Sequence, residues 1–130
     1  MNDNKVVKQS TITLGVGLDK DNQPAHLEWS STDGPRSEGI PAEVQNQPQA
    51  CKAALLSFFT RQEKETLKID LWTNDMQVVE MDRFFYQTLR SMADTYYRAT
   101  QNQELANDFQ QFVFYFGQKT GTIPKQDPAK

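Results

Sequence analysis

One histidine, one cysteine and a group of carboxylates around residue 75 are the side chains in this sequence best suited to a reactive site. Histidine titrates near neutrality and is the usual general base. His26, however, alternates with Glu28 on the polar side of a strand pattern, and no serine or cysteine is placed beside it, so the pattern describes a solvent-facing strand histidine. Cys51 follows a proline-rich stretch and precedes an apolar run, with no local cue for the low pKa that a thiolate nucleophile needs. Asp70, Asp75 and Glu80 form the densest carboxylate group, and two carboxylates can share acid–base work. Capping and helix-dipole complementarity account for Asp75 and Glu80 without a substrate. One His and one Cys cannot build a zinc site. Asp19, Asp21 and Asn22 look like the start of a calcium loop, but Gln23 and Pro24 break the pattern. No glycine-rich phosphate loop is present. The residues therefore assign no catalytic group, no metal ligand and no cofactor site.

The elements that would position these residues are easier to read. Ile12, Leu14, Val16 and Leu18 alternate with Thr11, Thr13, Gly15 and Gly17, which is strand periodicity. Gly15 and Gly17 on the second face mark a bulge or a close-packed neighbour rather than a site of ligand approach. Asp19 to Pro24 is turn chemistry. Ala25, Leu27 and Trp29 then alternate with His26 and Glu28, which completes an antiparallel hairpin. Residues 30–50 hold many polar residues and prolines, with only Ile40 and Val44 to anchor them. A loop of this length is mobile or functional. Cys51 to Thr60 fits either a short buried helix or a buried strand. The polar reversal at 61–65 and the alternation of Thr66 to Trp72 favour a second hairpin. Thr73-Asn74-Asp75 offers three capping residue types, so a helix should start there or just after. Val78, Met81, Phe85, Leu89, Met92, Tyr96 and Ala99 form its stripe, widened by Phe84, Ala93 and Tyr97. Thr100 to Asn102 interrupts the pattern. A second stripe, Leu105, Phe109, Phe112 and Phe116, follows, flanked by Val113 and Tyr115.

Fourteen basic and seventeen acidic residues give a net charge of -3, without the basic face a nucleic-acid partner requires. Apolar runs reach only about five residues, far from the ~20 that span a bilayer. A lone cysteine and a polar start with no apolar signal region predict a cytoplasmic protein.

Thr66-Leu-Lys-Ile-Asp-Leu-Trp-Thr-Asn-Asp-Met76, Glu80-Met-Asp-Arg-Phe-Phe-Tyr-Gln-Thr-Leu89 and Met92-Ala-Asp-Thr95 resemble the GldC-type gliding-motility proteins of the Bacteroidetes. Leu27-Glu-Trp29 and Phe114-Tyr-Phe-Gly117 extend the likeness over roughly residues 8–120. The resemblance implies a cytoplasmic accessory of the motility and secretion apparatus and brings no catalytic residues with it.

The expected fold is α+β, because strand patterns come first and helical patterns after them. It comprises a four-stranded, mostly antiparallel sheet of two hairpins, followed by two C-terminal helices packed on one face. Residues 1–9 should be partly disordered, 10–120 one domain with a loop at 30–50, and 121–130 a flexible tail. The expected function is non-enzymatic protein binding within the gliding machinery. The rival is a small enzyme or ligand-binding domain with a carboxylate-lined pocket near Asp70 to Glu80. Trp72, Asp70 and Lys68, with His26 and Glu28, make the expected interaction surface. Trp72, a large aromatic amid polar neighbours, is covered either by the long loop or by a second copy in a homodimer.

Overall fold

The computed structural model describes residues 4–32 and 47–124, and the fold is α+β. The core of the predicted loop, with Ile40 and Val44, lies outside the described residues, as do residues 1–3 and the tail beyond Pro124. The chain forms two compact units, one of strands up to Asp75 and one of helices from Met76 onward.

In the strand unit, β1 (Ile12–Leu18) and β2 (Pro24–Ser31) form the first expected hairpin, with Val16 opposite Leu27 and Leu14 opposite Trp29. Asp19 makes the turn between them. Its Oδ1 accepts the backbone N–H groups of Asp21 and Gln23 at 2.8 and 3.0 Å, and Asn22 takes the left-handed conformation (φ 61°). Asp and Asn suit this geometry because their short side chains bond nearby backbone. The register slips between Gly17 and Leu18, a bulge at one of the two glycines singled out in the sequence.

Cys51 to Thr60 is a strand, as expected, but not a single one. Gln49–Cys51 (β3) pairs with β2, and Ala53–Phe59 (β4) pairs with Thr66–Trp72 (β5), with Lys52 as the break between them. The result is a three-stranded sheet, β1-β2-β3, and a two-stranded one, β4-β5, in place of the expected single four-stranded sheet. The Lys52 carbonyl accepts the N–H of Thr73 at 2.8 Å, so the bend is held by the residue that follows β5.

The helical unit consists of α1 (Val78–Thr100) and α2 (Gln103–Thr120). The first cap is not at Thr73 to Asp75. The Thr73 hydroxyl already bonds Asp75 and the Lys52 carbonyl, and the Asn74 side-chain amide bonds Asp19; the helix starts just after them, with the Glu80 carboxylate accepting the N–H of Gln77 at 3.0 Å. Asn102 caps α2 as the sequence suggests, its Oδ1 accepting the N–H of Leu105 at 3.0 Å. Tyr86, early in α1, meets Gly117, late in α2, so the helices are antiparallel. The buried line also differs from the expected stripes. Ala93, Ala106, Val113 and Gly117 are buried, while Met92, Leu105 and Phe112 are about half exposed. Small residues let two helices approach closely, which turns the larger side chains outward. A Cβ at Gly117 would lie 2.6 Å from Tyr86 Cε1, which shows how close the approach is.

Candidate functional site

The residues of the expected interaction surface divide between the two sheets. On β5, Lys68, Asp70 and Trp72 share one face, since each step of two returns to the same side. They stand opposite Ser57, Leu55 and Ala53 of β4. Lys68 Nζ lies 3.0 Å from Asp70 Oδ1, and Trp72 remains 50% exposed. On β2, His26 and Glu28 share a face, with Gly17 and Gly15 opposite them on β1. Glu28 Oε2 is 4.0 Å from His26 Nε2, an ion pair only when the imidazole is protonated. A Cβ at Gly15 or Gly17 would meet Glu28 or His26 at 3.4 Å, ordinary contact, so the glycines are close-packed neighbours of these side chains. The structure thus holds two polar pairs, each complete within its own sheet.

The three carboxylates of the rival reading each have a local partner. Asp70 pairs with Lys68. Asp75 accepts the Thr73 hydroxyl at 2.5 Å and lies 3.9 Å from Lys52 Nζ. The Thr73 hydrogen bond and then the Lys52 charge hold its pKa below the ordinary carboxylate value. Glu80 caps the start of α1. Asp19 is also depressed, first by the Gln23 N–H and then by that of Asp21, and its Oδ2 accepts from Asn74 Nδ2 at 3.1 Å. The calcium-like residues therefore serve a turn. Cys51 is half-buried, and burial pushes its thiol upward, away from the thiolate form. No cluster of three His, Cys, Asp or Glu side chains able to hold a metal occurs among the described residues. Nor is any helix among them long and apolar enough to cross a membrane.

The other face of the hairpin was not singled out in the sequence. Ala54, Leu56 and Phe58 of β4 stand opposite Leu71, Ile69 and Leu67 of β5, so this face is wholly apolar. Phe58, Leu67 and Ile69 are 52, 60 and 49% exposed. The alternation of Thr66 to Trp72 carries the signal, since Leu67, Ile69 and Leu71 fall on the side opposite Lys68 and Asp70. An open concavity lined by Phe59, Thr60, Arg61 and Lys64 lies at the tip of the same hairpin.

A family model described as gliding motility-associated protein GldC-like matches residues 24–122. The matched span runs from the start of β2 to just beyond α2 and leaves β1 outside. No curated protein and no solved structure matches the chain.

Proposed function

The chain belongs to the GldC-like family of gliding motility-associated proteins, and from that premise we propose that it is a non-enzymatic accessory which binds a protein component of the gliding apparatus in the cytoplasm. The family match carries the reading. Two features support it: exposed apolar side chains on the β4–β5 hairpin, a usual mark of a protein-binding surface, and carboxylates already engaged in caps and ion pairs.

The decisive experiment is affinity capture with the full chain as bait in a gliding bacterium, with quantitative mass spectrometry of what is retained. Enrichment of motility or secretion components, reduced by Phe58→Ser on the exposed hairpin face, is the expected result. Recovery of none of them under mild washing overturns the reading.

A further inference from the structure

The outer edge of β5 has a direction and a charge order that fit a second copy of itself. Hydrogen-bonding phase along the hairpin is set at both ends. The Thr60 N–H donates to Glu65 at 2.8 Å, and the Thr73 N–H donates to Lys52 at 2.8 Å. Steps of two between these pairs pass through Leu67, Ile69 and Leu71, so those residues bond β4. The backbone groups of Thr66, Lys68, Asp70 and Trp72 then point the other way. Asn74, next in that series, confirms the direction, because its N–H donates outward to Pro24 of β2 at 3.0 Å. Among the described residues β5 has only β4 as a ladder neighbour, so its outer edge is open from Thr66 toward the end where Pro24 of β2 meets Asn74.

We propose that this edge pairs antiparallel with β5 of a second copy, about a two-fold axis through Ile69. Three features select that register. Only a pairing that matches outward-pointing residues to each other satisfies the backbone, which leaves axes through a residue from Leu67 to Leu71; those at Leu67 and Leu71 overlap only three residues of each strand, whereas the axis at Ile69 overlaps all seven. An axis at Lys68 sets lysine against lysine, and one at Asp70 sets aspartate against aspartate. The axis at Ile69 sets each Lys68 against the second copy's Asp70, and Leu67 against its Leu71. The strand Leu67-Lys68-Ile69-Asp70-Leu71 is thus complementary to its own reverse. Charged residues on an edge ordinarily discourage pairing. Here their opposite signs, one on each side of the centre, permit a single register and oppose its neighbours.

The pairing also serves the exposed side chains. Two hairpins become a four-stranded sheet, and a two-stranded ribbon is marginal alone in water. Ile69 meets its own copy on the apolar face, while Trp72 gains the second copy's Thr66 on the polar one. The interface is isologous, the commonest kind in homodimers.

Sedimentation velocity on the full chain and its variants tests the proposal. The wild type should self-associate to a dimer at micromolar concentration. Lys68→Asp and Asp70→Lys should each weaken association by roughly 10- to 100-fold, because each replaces two attractive pairs by repulsive ones. An equimolar mixture of the two variants should recover a dimer, since the reversed charges then face opposite signs. In a Cys51→Ala background, Ile69→Cys should form an intermolecular disulfide on mild oxidation, the paired Cα atoms lying ~4.5 Å apart. Leu71→Cys should not, as its own copy would lie ~14 Å away along the ladder. A wild type that stays monomeric at high micromolar concentration overturns the pairing, as does a dimer indifferent to both charge reversals. Equal cross-linking of Leu71→Cys and Ile69→Cys overturns it too. None of these outcomes bears on the captured partner, so the functional proposal and this one fail separately.

Discussion

The middle strand of the first sheet and the β4–β5 hairpin treat their apolar residues in opposite ways. In β1-β2-β3 the middle strand has neighbours on both sides, and Leu27, flanked by Val16 and Cys51, is fully buried. In β4-β5 each strand has one neighbour among the described residues, and Phe58, Leu67 and Ile69 stay about half exposed. A residue beside one strand only is flanked on one side only, which contributes to the difference. β1, with one neighbour among the described residues, leaves Ile12 and Leu18 exposed as the hairpin leaves Leu67, so the contrast lies between the middle strand and the edges.

The sharpest way to break this comparison is to truncate one residue from each sheet. Leu27→Ala should destabilise by about 2–5 kcal/mol, since it removes a fully buried side chain and leaves a cavity. Ile69→Ala should cost a monomer about 1 kcal/mol or less, because half of its surface already meets water. Urea unfolding followed by circular dichroism measures both. Equal losses would mean that the hairpin face is as much core as the first sheet.

Next in size is the link between the sheets. Thr73 is buried, its N–H bonds the Lys52 bend, and its hydroxyl bonds Asp75. Thr73→Val keeps the shape and the backbone bond but removes the hydroxyl. Stability should fall, by less than for Leu27→Ala, because the Asp75 end of the bond is solvent-exposed. An unchanged urea midpoint would show that the hydroxyl adds nothing to the bend.

Much of this arrangement could be read from the residues, and the exceptions share a cause. Alternation located β1, β2, the β4 region and β5, and polar reversals located both hairpin turns. Lys52 was not legible as a break, because periodicity records which side a residue faces and not where a strand changes partner. α1 does begin just after Thr73 to Asp75, but its capping residue was not legible for a similar reason. Thr73 and Asn74 are good capping residues by type, but their side chains are engaged elsewhere, with Asp75, Lys52 and Asp19. The helix stripes missed Ala106 and Gly117, since hydrophobicity ranks large side chains first and close helix packing selects small ones. At the candidate surface, the residue types on β5 were plain and their faces were correct. That His26 and Glu28 belong to another sheet depended on the same break at Lys52.

A smaller effect should appear at the hairpin turn. Lys64 holds a left-handed backbone (φ 57°), which costs a residue with a Cβ roughly 1 kcal/mol and glycine nothing comparable. Lys64→Gly should raise stability by a few tenths to about 1 kcal/mol, the greater freedom of glycine in the unfolded chain offsetting part of the gain. A thermal scan that shows a lower midpoint would mean that the Lys64 side chain stabilises the turn beyond its backbone.

The smallest expected effect is on acid sensitivity, and it assigns one carboxylate to each sheet. Asp19 makes the β1–β2 turn, and Asp75 follows β5; both are solvent-exposed and both titrate below the ordinary value of 3.8. A carboxylate whose folded pKa is depressed stabilises the fold above its unfolded pKa, and that contribution disappears as pH falls through the folded value. The window therefore opens near pH 3.8 and closes below it, with no change expected from Asp19 or Asp75 between pH 5 and 8. Solvent screening keeps the total modest. Carbon-detected NMR titration separates the two sites. Thr73→Val should move Asp75 upward toward the ordinary value, since the lost hydroxyl is its largest depressing influence, and should leave Asp19 unmoved because backbone N–H groups hold that carboxylate. If both shift together, the turn and the end of β5 act as one electrostatic unit through the Asn74–Asp19 hydrogen bond, and the division between the sheets does not extend to their charges.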